Sequence, residues 1–217
     1  MKISTIFAVS LSVFALLMSG CASKSMDAKN SGFFKEYGSF ERSNSYAAQR
    51  VSKDFDMSKY KAVFISPVLV ISAVPEAQQS ASQKKLYNEI AEYVMDGYKK
   101  EIAKSGYILV DAKGADTVVL ESAISAVEVH FEDEKWNQFS PIAMDVTVNS
   151  YNSYIDENVR ILGEQRILDS VTPETMFESM EIIKDEKILL NGESLEFENI
   201  KPALDRWIEQ VKNHFAR

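Results

Sequence analysis

The sequence has little cysteine, histidine or glycine, and each scarcity excludes a class of site. Its 217 residues include one cysteine and two histidines, which excludes an internal disulfide and the common zinc sites. The eight glycines form neither GxGxxG nor GxxxxGK, the patterns that cradle phosphate groups. A Gly-x-Ser-x-Gly motif, which would indicate a serine hydrolase, is also missing. The sequence therefore predicts no metal, no cofactor and no enzymatic activity.

Basic residues are also scarce relative to acidic ones. The chain has 24 Lys and Arg against 32 Asp and Glu, a formal net charge of −8. An acidic protein of this kind lacks the positive surface that binds nucleic acid, and an anionic membrane repels it weakly. Attachment to a membrane would need something other than charge. Because 46% of the residues are hydrophobic, the chain can still bury a core.

The first twenty residues have the pattern of a removable signal peptide. Lys2 supplies a positive charge, and Ile6–Met18 is mostly apolar but too short to span a bilayer. The segment ends in Met-Ser-Gly-Cys, which resembles a bacterial lipobox, although methionine stands where leucine is usual. We therefore expect cleavage between Gly20 and Cys21.

The resemblance to bacterial lipoproteins implies that Cys21 carries a diacylglyceryl thioether and an acylated amino terminus. Each buried methylene contributes about 0.8 kcal/mol, so chains of this kind anchor a protein stably. Ala22, where aspartate would favour retention, favours the outer membrane with the domain facing the periplasm. Residues 21–31 are predicted to form the lipidated cysteine and a polar tether, whose ten flexible residues reach about 17 Å.

Residues 32–217 are predicted to form a single periplasmic α+β domain, which begins with an aromatic arm. This arm, Gly32 to Tyr46, has charged residues between its aromatic ones, which are Phe33, Phe34, Tyr37, Phe40 and Tyr46. Two interpretations are open. The rings either pack onto the domain or form an exposed strip that contacts a partner, since clustered surface aromatics mark interaction sites.

Hydrophobic periodicity predicts a strand, a long helix and a second strand in the next part of the chain. Tyr60–Ile65 reads as the first strand, which Val68–Val74 prolongs beyond a proline as an edge or bent segment. Residues 83–104 read as a helix, with Ser82 as N-cap, Gly106 after its end and a short strand in 107–110. The apolar residues of this helix recur every four positions: Leu86, Ile90, Val94, Tyr98 and Ile102.

Three alternating segments follow and predict an antiparallel meander. They are Thr117–Phe131, with a bulge near Ser125, then Ile142–Ile155 and Val159–Val171. Successive long strands with one solvated face are typical of this arrangement.

The C-terminal part is predicted to contain two helices. Thr172-Pro173-Glu174 resembles a helix start, with Met176, Met180 and Ile183 as the apolar stripe. Asn191-Gly192 indicates a hairpin turn. The last helix spans residues 200–215, capped by Asn199. The simplest fold is a mixed, largely antiparallel sheet with two amphipathic helices, the long one and the last one, packed on one face.

Three short motifs resemble an uncharacterised domain-of-unknown-function family of Gram-negative lipoproteins. They are Ser31-Gly32-Phe33 with Tyr37, the strand Y-x-x-V-x-I-x-P-V beginning at Tyr60, and Ala203 with Trp207 in the last helix. The resemblance covers nearly the whole chain after the signal peptide. It implies no established activity and no catalytic residues.

We interpret the chain as a lipid-anchored envelope protein with a non-enzymatic interaction or accessory domain. Its partners would be the membrane, through the lipid, and an envelope protein or a second copy. Two alternatives are open: a hydrolase with a pair of carboxylates, and a carrier of a small apolar ligand lined by Met144, Met176 and Met180.

Overall fold

The computed structural model describes residues 31–130, 158–184 and 196–215, except residues 45, 73 and 173. Only the backbone is described for residues 126–130 and 158–160. Two α-helices are present in this part of the chain, α1 (Ala81–Lys104) and α2 (Phe197–His214), with short 3₁₀ helices at Met57–Lys59 and Glu76–Gln78.

The described strands form one sheet. Their order across it is β1-β2-β8-β7-β6-β3-β5, and β4 also pairs with β6. The strands are β1 (Glu41–Arg42), β2 (Ala47–Val51), β3 (Ala62–Ile65), β4 (Leu69–Val70), β5 (Ile108–Leu109), β6 (Thr117–His130), β7 (Asn158–Asp169) and β8 (Thr175–Lys184).

Pairing in the sheet is antiparallel along the path β1-β2-β8-β7-β6, whereas β3 and β4 pair parallel with β6 and β5 pairs parallel with β3. The register of β6 against β7 shifts between Ile124 and Ala126, which confirms the bulge predicted near Ser125. β4 continues β3 past Pro67 along the same edge of β6, as predicted for a bent segment. The predicted mixed, largely antiparallel sheet is therefore confirmed.

The long helix α1 begins two residues earlier than predicted. Ser80, not Ser82, is the N-cap, and its hydroxyl accepts from the Gln83 N–H at 3.1 Å. The Gln83 side chain accepts from the Ser80 N–H at 2.8 Å, which completes a capping box. Gly106 follows the helix with φ +84°, a left-handed conformation that favours glycine.

Helix α2 begins three residues earlier than predicted, because Glu196 is its N-cap. Asn199, the predicted cap, instead accepts from the Glu196 N–H at 2.8 Å. The predicted apolar face is confirmed, since one side of the helix is buried along its length. Its buried residues are Ile200, Ala203, Leu204, Trp207, Ile208 and Val211.

Both helices pack on one face of the sheet, as predicted, and form the main core with it. The rings of Tyr98 in α1 and Trp207 in α2 meet edge to face with centroids 5.6 Å apart. Trp207 lies directly over Gly163 of β7, where an added Cβ would come within 2.3 Å of the indole ring. A side chain larger than hydrogen at residue 163 would therefore displace this helix from the sheet.

The helix predicted from Thr172 is wrong, because Thr175–Lys184 forms strand β8. Asp169 accepts from the N–H groups of Val171 and Thr172, each at 2.7 Å, so the predicted helix start is a turn. β8 lies inside the sheet between β2 and β7 and is covered on both faces. Buried apolar residues therefore occur on both of its faces, Phe177 and Ile183 on one and Met180 and Ile182 on the other, and the four-residue spacing of Met176 and Met180 resembled that of a helix.

Two other predicted elements fall outside the described residues. They are the strand at residues 142–155 and the hairpin turn at residues 191–192.

Candidate functional site

The first part of the predicted arm, residues 31–40, lies on the sheet face opposite the two helices and has no helix or strand of its own, and we use the word arm for this part from here on. Phe33 and Phe34 are 8% and 3% exposed, and Tyr37 and Phe40 are half-buried beside them. Gly32 has φ +82°, so the chain turns sharply just before the two buried rings. The sheet residues under the arm are mostly apolar: Ala48, Ala123, Leu162, Met180 and Ile182.

A row of alternating charges crosses the sheet beneath the arm. Register places Glu121 of β6 beside Arg166 of β7, then Glu178 of β8 and Arg50 of β2. Arg166 Nε donates to Glu121 Oε2 at 2.6 Å, and Arg50 Nε donates to Glu178 Oε2 at 2.6 Å. Opposite charges on neighbouring strands stabilise their pairing. We call these four residues the charge ladder.

The arm binds both arginines of the charge ladder. The Arg166 guanidinium lies 5.0 Å from the Phe33 ring centroid, and its Nη1 donates to the Phe33 carbonyl at 3.2 Å. The Arg50 guanidinium lies 4.9 Å from the Phe40 ring and donates to the Ser39 hydroxyl. Aromatic rings attract cations in this arrangement, and more strongly where water is excluded. The charge ladder therefore fixes both ends of the arm.

Tyr37 and Glu164 hold the middle of the arm. The Tyr37 hydroxyl donates to Glu164 Oε1 at 2.9 Å and lies 2.6 Å from the Ser31 hydroxyl. It also accepts from the Phe34 N–H at 3.2 Å, so the hydroxyl joins the start of the arm to β7. Glu164 is fully buried, and its Oε2 has no hydrogen-bond partner in the part of the chain that the structure describes.

The buried position of this pair changes its titration. Burial raises the pKa of the Glu164 carboxyl, although the hydroxyl groups around it oppose the rise. Burial, together with the neighbouring Glu164, also raises the pKa of the Tyr37 hydroxyl. The site therefore favours the uncharged forms of both residues, which suits a contact closed off from water.

The helix-covered face has polar residues of its own. Gln165 is buried and donates to the Tyr98 hydroxyl. Burial raises the pKa of Glu181 to about 6 and lowers that of His214, the last residue of α2, to about 4. These groups lie under the helices, where they take part in packing.

A groove of about 480 Å³ opens between β4 and the first three turns of α1. The loop that closes its end is held by Gln79, whose side-chain amide donates to the Val74 carbonyl at 2.8 Å. The lining residues are Val68, Leu69, Val70, Ile71, Ser72, Val74, Pro75, Glu76, Gln79, Lys84, Tyr87, Asn88 and Ala91.

The structure decides between the two interpretations of the arm for Phe33 and Phe34. Both rings pack onto the domain, which agrees with the first interpretation and not with an exposed strip. Contact of Tyr37 and Phe40 with a partner stays a prediction. Gly20 and Cys21 lie outside the described residues, and so does most of the predicted tether. Its last residue, Ser31, is already buried against the domain.

The structure also bears on the two alternative functions. Met176 belongs to the core beneath the helices and Met180 to the cluster beneath the arm, so they do not line one cavity. Met144 lies outside the described residues. Of the carboxylates that share the arm face, Glu121 and Glu178 are paired with arginine, and Glu164 is bound to Tyr37.

The sequence did not reveal the residues that hold the arm. Arg50, Glu121, Glu164, Arg166 and Glu178 are ordinary charged residues in four separate strands. One signal was available, because Glu164 and Arg166 alternate with apolar residues and therefore share a strand face. That pattern predicts a charged face and does not show what covers it.

The described residues contain neither a candidate membrane span nor a candidate metal site. None of the helices there is long and apolar enough to cross a membrane. No group of three or more His, Cys, Asp or Glu side chains among those residues is arranged to hold a metal ion.

Residues 29–211 match the family model described as a protein of unknown function, DUF3313. This match confirms the resemblance to a domain-of-unknown-function family. No curated protein matches the chain.

Several solved structures are similar over most of their length. A PelC dodecamer from Paraburkholderia phytofirmans is 9% identical, covering 79% of this chain and 97% of that one, with TM-score 0.43. Lipoprotein GNA1162 from Neisseria meningitidis is 12% identical, with 70% and 95% covered and TM-score 0.38. A DUF4136 family protein from Bacteroides thetaiotaomicron is 13% identical, with 80% and 98% covered and TM-score 0.40. At these TM-scores the likenesses assign nothing to this chain.

Proposed function

This chain belongs to the DUF3313 family of proteins of unknown function, and we propose that it is a lipid-anchored, non-enzymatic interaction module of the cell envelope. In this proposal Cys21 carries the lipid, the anchor lies in the outer membrane, and the domain faces the periplasm. The domain binds an envelope protein or another copy of itself.

The fixed arm is the observation that carries the proposal. Ser31 is the last residue of the predicted tether and is already hydrogen-bonded to Tyr37, which is bound to Glu164 of β7. The tether therefore joins the domain at a fixed point on one sheet face. A fixed attachment point keeps the domain within the reach of the tether from the membrane, which suits a module that presents a binding surface to an envelope partner.

The chemistry of the arm face supports a non-enzymatic role. The charged residues that come together there bind one another and the arm, and the arm covers them. Glu164, the buried carboxyl, is bound to Tyr37 under the arm. A hydrolase would need a carboxyl pair open to substrate and water. In this protein the arm would first have to detach.

Metabolic labelling tests the anchor. Cells that make the tagged protein would be grown with an alkyne analogue of palmitate, beside cells that make Cys21→Ala. We expect label on the wild type only, and we expect it in the outer-membrane fraction, with Cys21→Ala unlabelled. Equal labelling of both proteins, or no labelling of either, would contradict the anchor.

Cross-linking inside cells tests the interaction. The lipidated protein and Cys21→Ala would be cross-linked and purified under denaturing conditions. A specific envelope protein, or a second copy, joined to the lipidated form alone supports a module whose binding depends on its location. Turnover of a defined envelope substrate by the purified protein, lost in Glu164→Gln, would replace the proposal with the hydrolase alternative.

A further inference from the structure

The bent strand formed by β3 and β4 is paired along its full length on one side only. β6 pairs with both halves, since the Ser66 N–H donates to the Leu120 carbonyl at 2.9 Å and the Ile71 N–H to the Ile124 carbonyl at 2.8 Å. On the other side β5 pairs with β3 alone, and its last bond runs from the Val110 N–H to the Val63 carbonyl at 3.1 Å. Within the described residues, β4 has no second partner strand.

Alternation along the strand places backbone groups of β4 at this open edge. Hydrogen-bonding groups of a strand point to its two sides in turn, and the Ile71 N–H points toward β6. The N–H and carbonyl of Val70 therefore point away from β6, toward the groove beside α1. An added strand at this edge would continue the line of β5.

The composition of this edge differs from that of the opposite end of the sheet. β1 consists of Glu41 and Arg42, and charged side chains of this kind discourage pairing with another chain. The residues from Val68 to Ile71 are all apolar, and Leu69 is 51% exposed. An apolar open edge is a template for strand addition.

The groove sets the dimensions and chemistry of what could bind. Residues 68–72 span about 16 Å as extended chain, enough to pair with roughly five residues of a partner. Tyr87 and Ala91 form an apolar wall from α1, Asn88 adds an amide, and Lys84 and Glu76 add one charge of each sign. An extended peptide with alternating apolar residues matches the open edge, where an acidic residue of the peptide would meet Lys84 and a basic one Glu76.

We infer that the groove between β4 and α1 binds an extended peptide segment of a partner protein, which adds to the sheet as a strand beside β4. This inference rests on the proposed interaction function and names the site and the kind of partner. Main-chain hydrogen bonds to Val70 supply affinity, and the apolar wall selects alternate side chains.

Peptide selection on the full mature chain tests the site. Mature protein with Cys21→Ser would be immobilised and exposed to a phage library of random twelve-residue peptides. The best peptide, labelled with fluorescein, would be titrated against this protein and three variants of it. Val70→Pro removes the outward N–H, and Asn88→Trp fills the groove. Glu89→Trp is the matched control, since Glu89 is equally exposed on α1 but does not line the groove.

We expect selected peptides with alternating apolar residues and dissociation constants in the micromolar range. Affinity should fall at least tenfold in Val70→Pro and Asn88→Trp and change less than twofold in Glu89→Trp. Bound peptide should slow hydrogen exchange of the Val70 amide at least tenfold. Thermal melts would check folding of each variant, and Asn88→Trp decides the question if Val70→Pro unfolds.

Four outcomes would overturn the inference, and three of them concern the peptide. These three are equal affinity in all variants, unchanged exchange at Val70, and no selected peptide. A dimer of the mature chain that Asn88→Trp abolishes and Glu89→Trp keeps would also overturn it, because the occupant would then be a second copy. Lipid does not enter these measurements, so the anchor proposal and this site can fail independently.

Discussion

Two amphipathic helices cover one face of the sheet, whereas ten residues without regular secondary structure cover the other. Under the helices the contacts are mostly apolar and the polar groups are few. Under the arm a small apolar patch borders the charge ladder and the Tyr37–Glu164 pair. Packing on the helix-covered face is therefore stabilised mainly by buried apolar area, whereas packing of the arm is stabilised mainly by a few specific bonds.

The two faces therefore have different roles: the helix-covered face determines the global stability of the domain, and the arm face determines whether the arm stays attached. Loss of a large side chain under the helices removes packing that the whole fold shares, so it lowers global stability. Loss of a bond under the arm frees a terminal segment while the rest stays folded, which is a local opening. The part of the domain nearest the predicted tether is therefore the part that can open without unfolding.

Trp207→Ala should have the largest effect on the helix-covered face. Removing this buried indole is expected to lower the free energy of unfolding by about 4 kcal/mol. Phe34→Ala, a similar truncation under the arm, should cost less than half as much, because the arm detaches locally. Urea denaturation followed by circular dichroism measures both. Equal losses would remove the distinction between the two faces.

Gly163→Ala should have the next largest effect and lower the free energy of unfolding by about 3 kcal/mol. The new Cβ would lie 2.3 Å from the indole of Trp207, so α2 must shift on the sheet. Gly38→Ala in the arm is the control, because a Cβ there meets nothing within 4 Å. Urea midpoints of the two variants give the comparison. An unchanged midpoint for Gly163→Ala would show that the helix sits farther from the sheet.

Glu181→Gln should stabilise the protein at neutral pH. Burial raises the pKa of Glu181 from 4.5 to about 6, so its contribution to stability is complete below pH 4.5 and is lost as pH rises through 6. The shift corresponds to about 2 kcal/mol, which the variant should gain at pH 7.5 and not at pH 4.

His214 has the opposite pH dependence, because burial lowers its pKa to about 4 and its contribution is lost as pH falls. Measuring wild type and Glu181→Gln at each pH cancels this contribution. A difference between them that did not vary with pH would contradict the assignment to Glu181.

Tyr37→Phe should have the smallest global effect and a clear local one. It removes the 2.9 Å bond to Glu164 and the 3.2 Å bond from the Phe34 N–H, worth about 1.5 kcal/mol of arm docking. Hydrogen exchange of the Phe34 amide should become about tenfold faster while the urea midpoint hardly moves. Tyr46→Phe, at an exposed tyrosine, is the control. A large fall in global stability would mean that the arm belongs to the main core.

Much of the fold could be predicted from the sequence where one face of a helix or strand is exposed to solvent. Helix α1 shows its four-residue repeat because Lys and Glu occupy the solvent side. The bulge at Ser125 was visible because the alternation in β6 changes phase there. In β8 both faces are buried, so no alternation was present to distinguish a strand from a helix.

The candidate site could be predicted only in part. The aromatic residues of the arm were visible, but Tyr37 is separated from Glu164 by 127 positions. Only the order of strands brings β7 beneath the arm and aligns Arg166 with Glu121 and Glu178. No local pattern carries that information.

The course of the arm across the strands has a mechanical consequence. It binds Arg166 of β7 through Phe33 and, farther on, Arg50 of β2 through Ser39 and Phe40. Tension applied through the tether at Ser31 would load these bonds one after another, in the manner of a zipper. A weak, sustained pull could therefore lengthen the connection to the membrane by the span of the arm, while the helix-covered core bears almost none of the load.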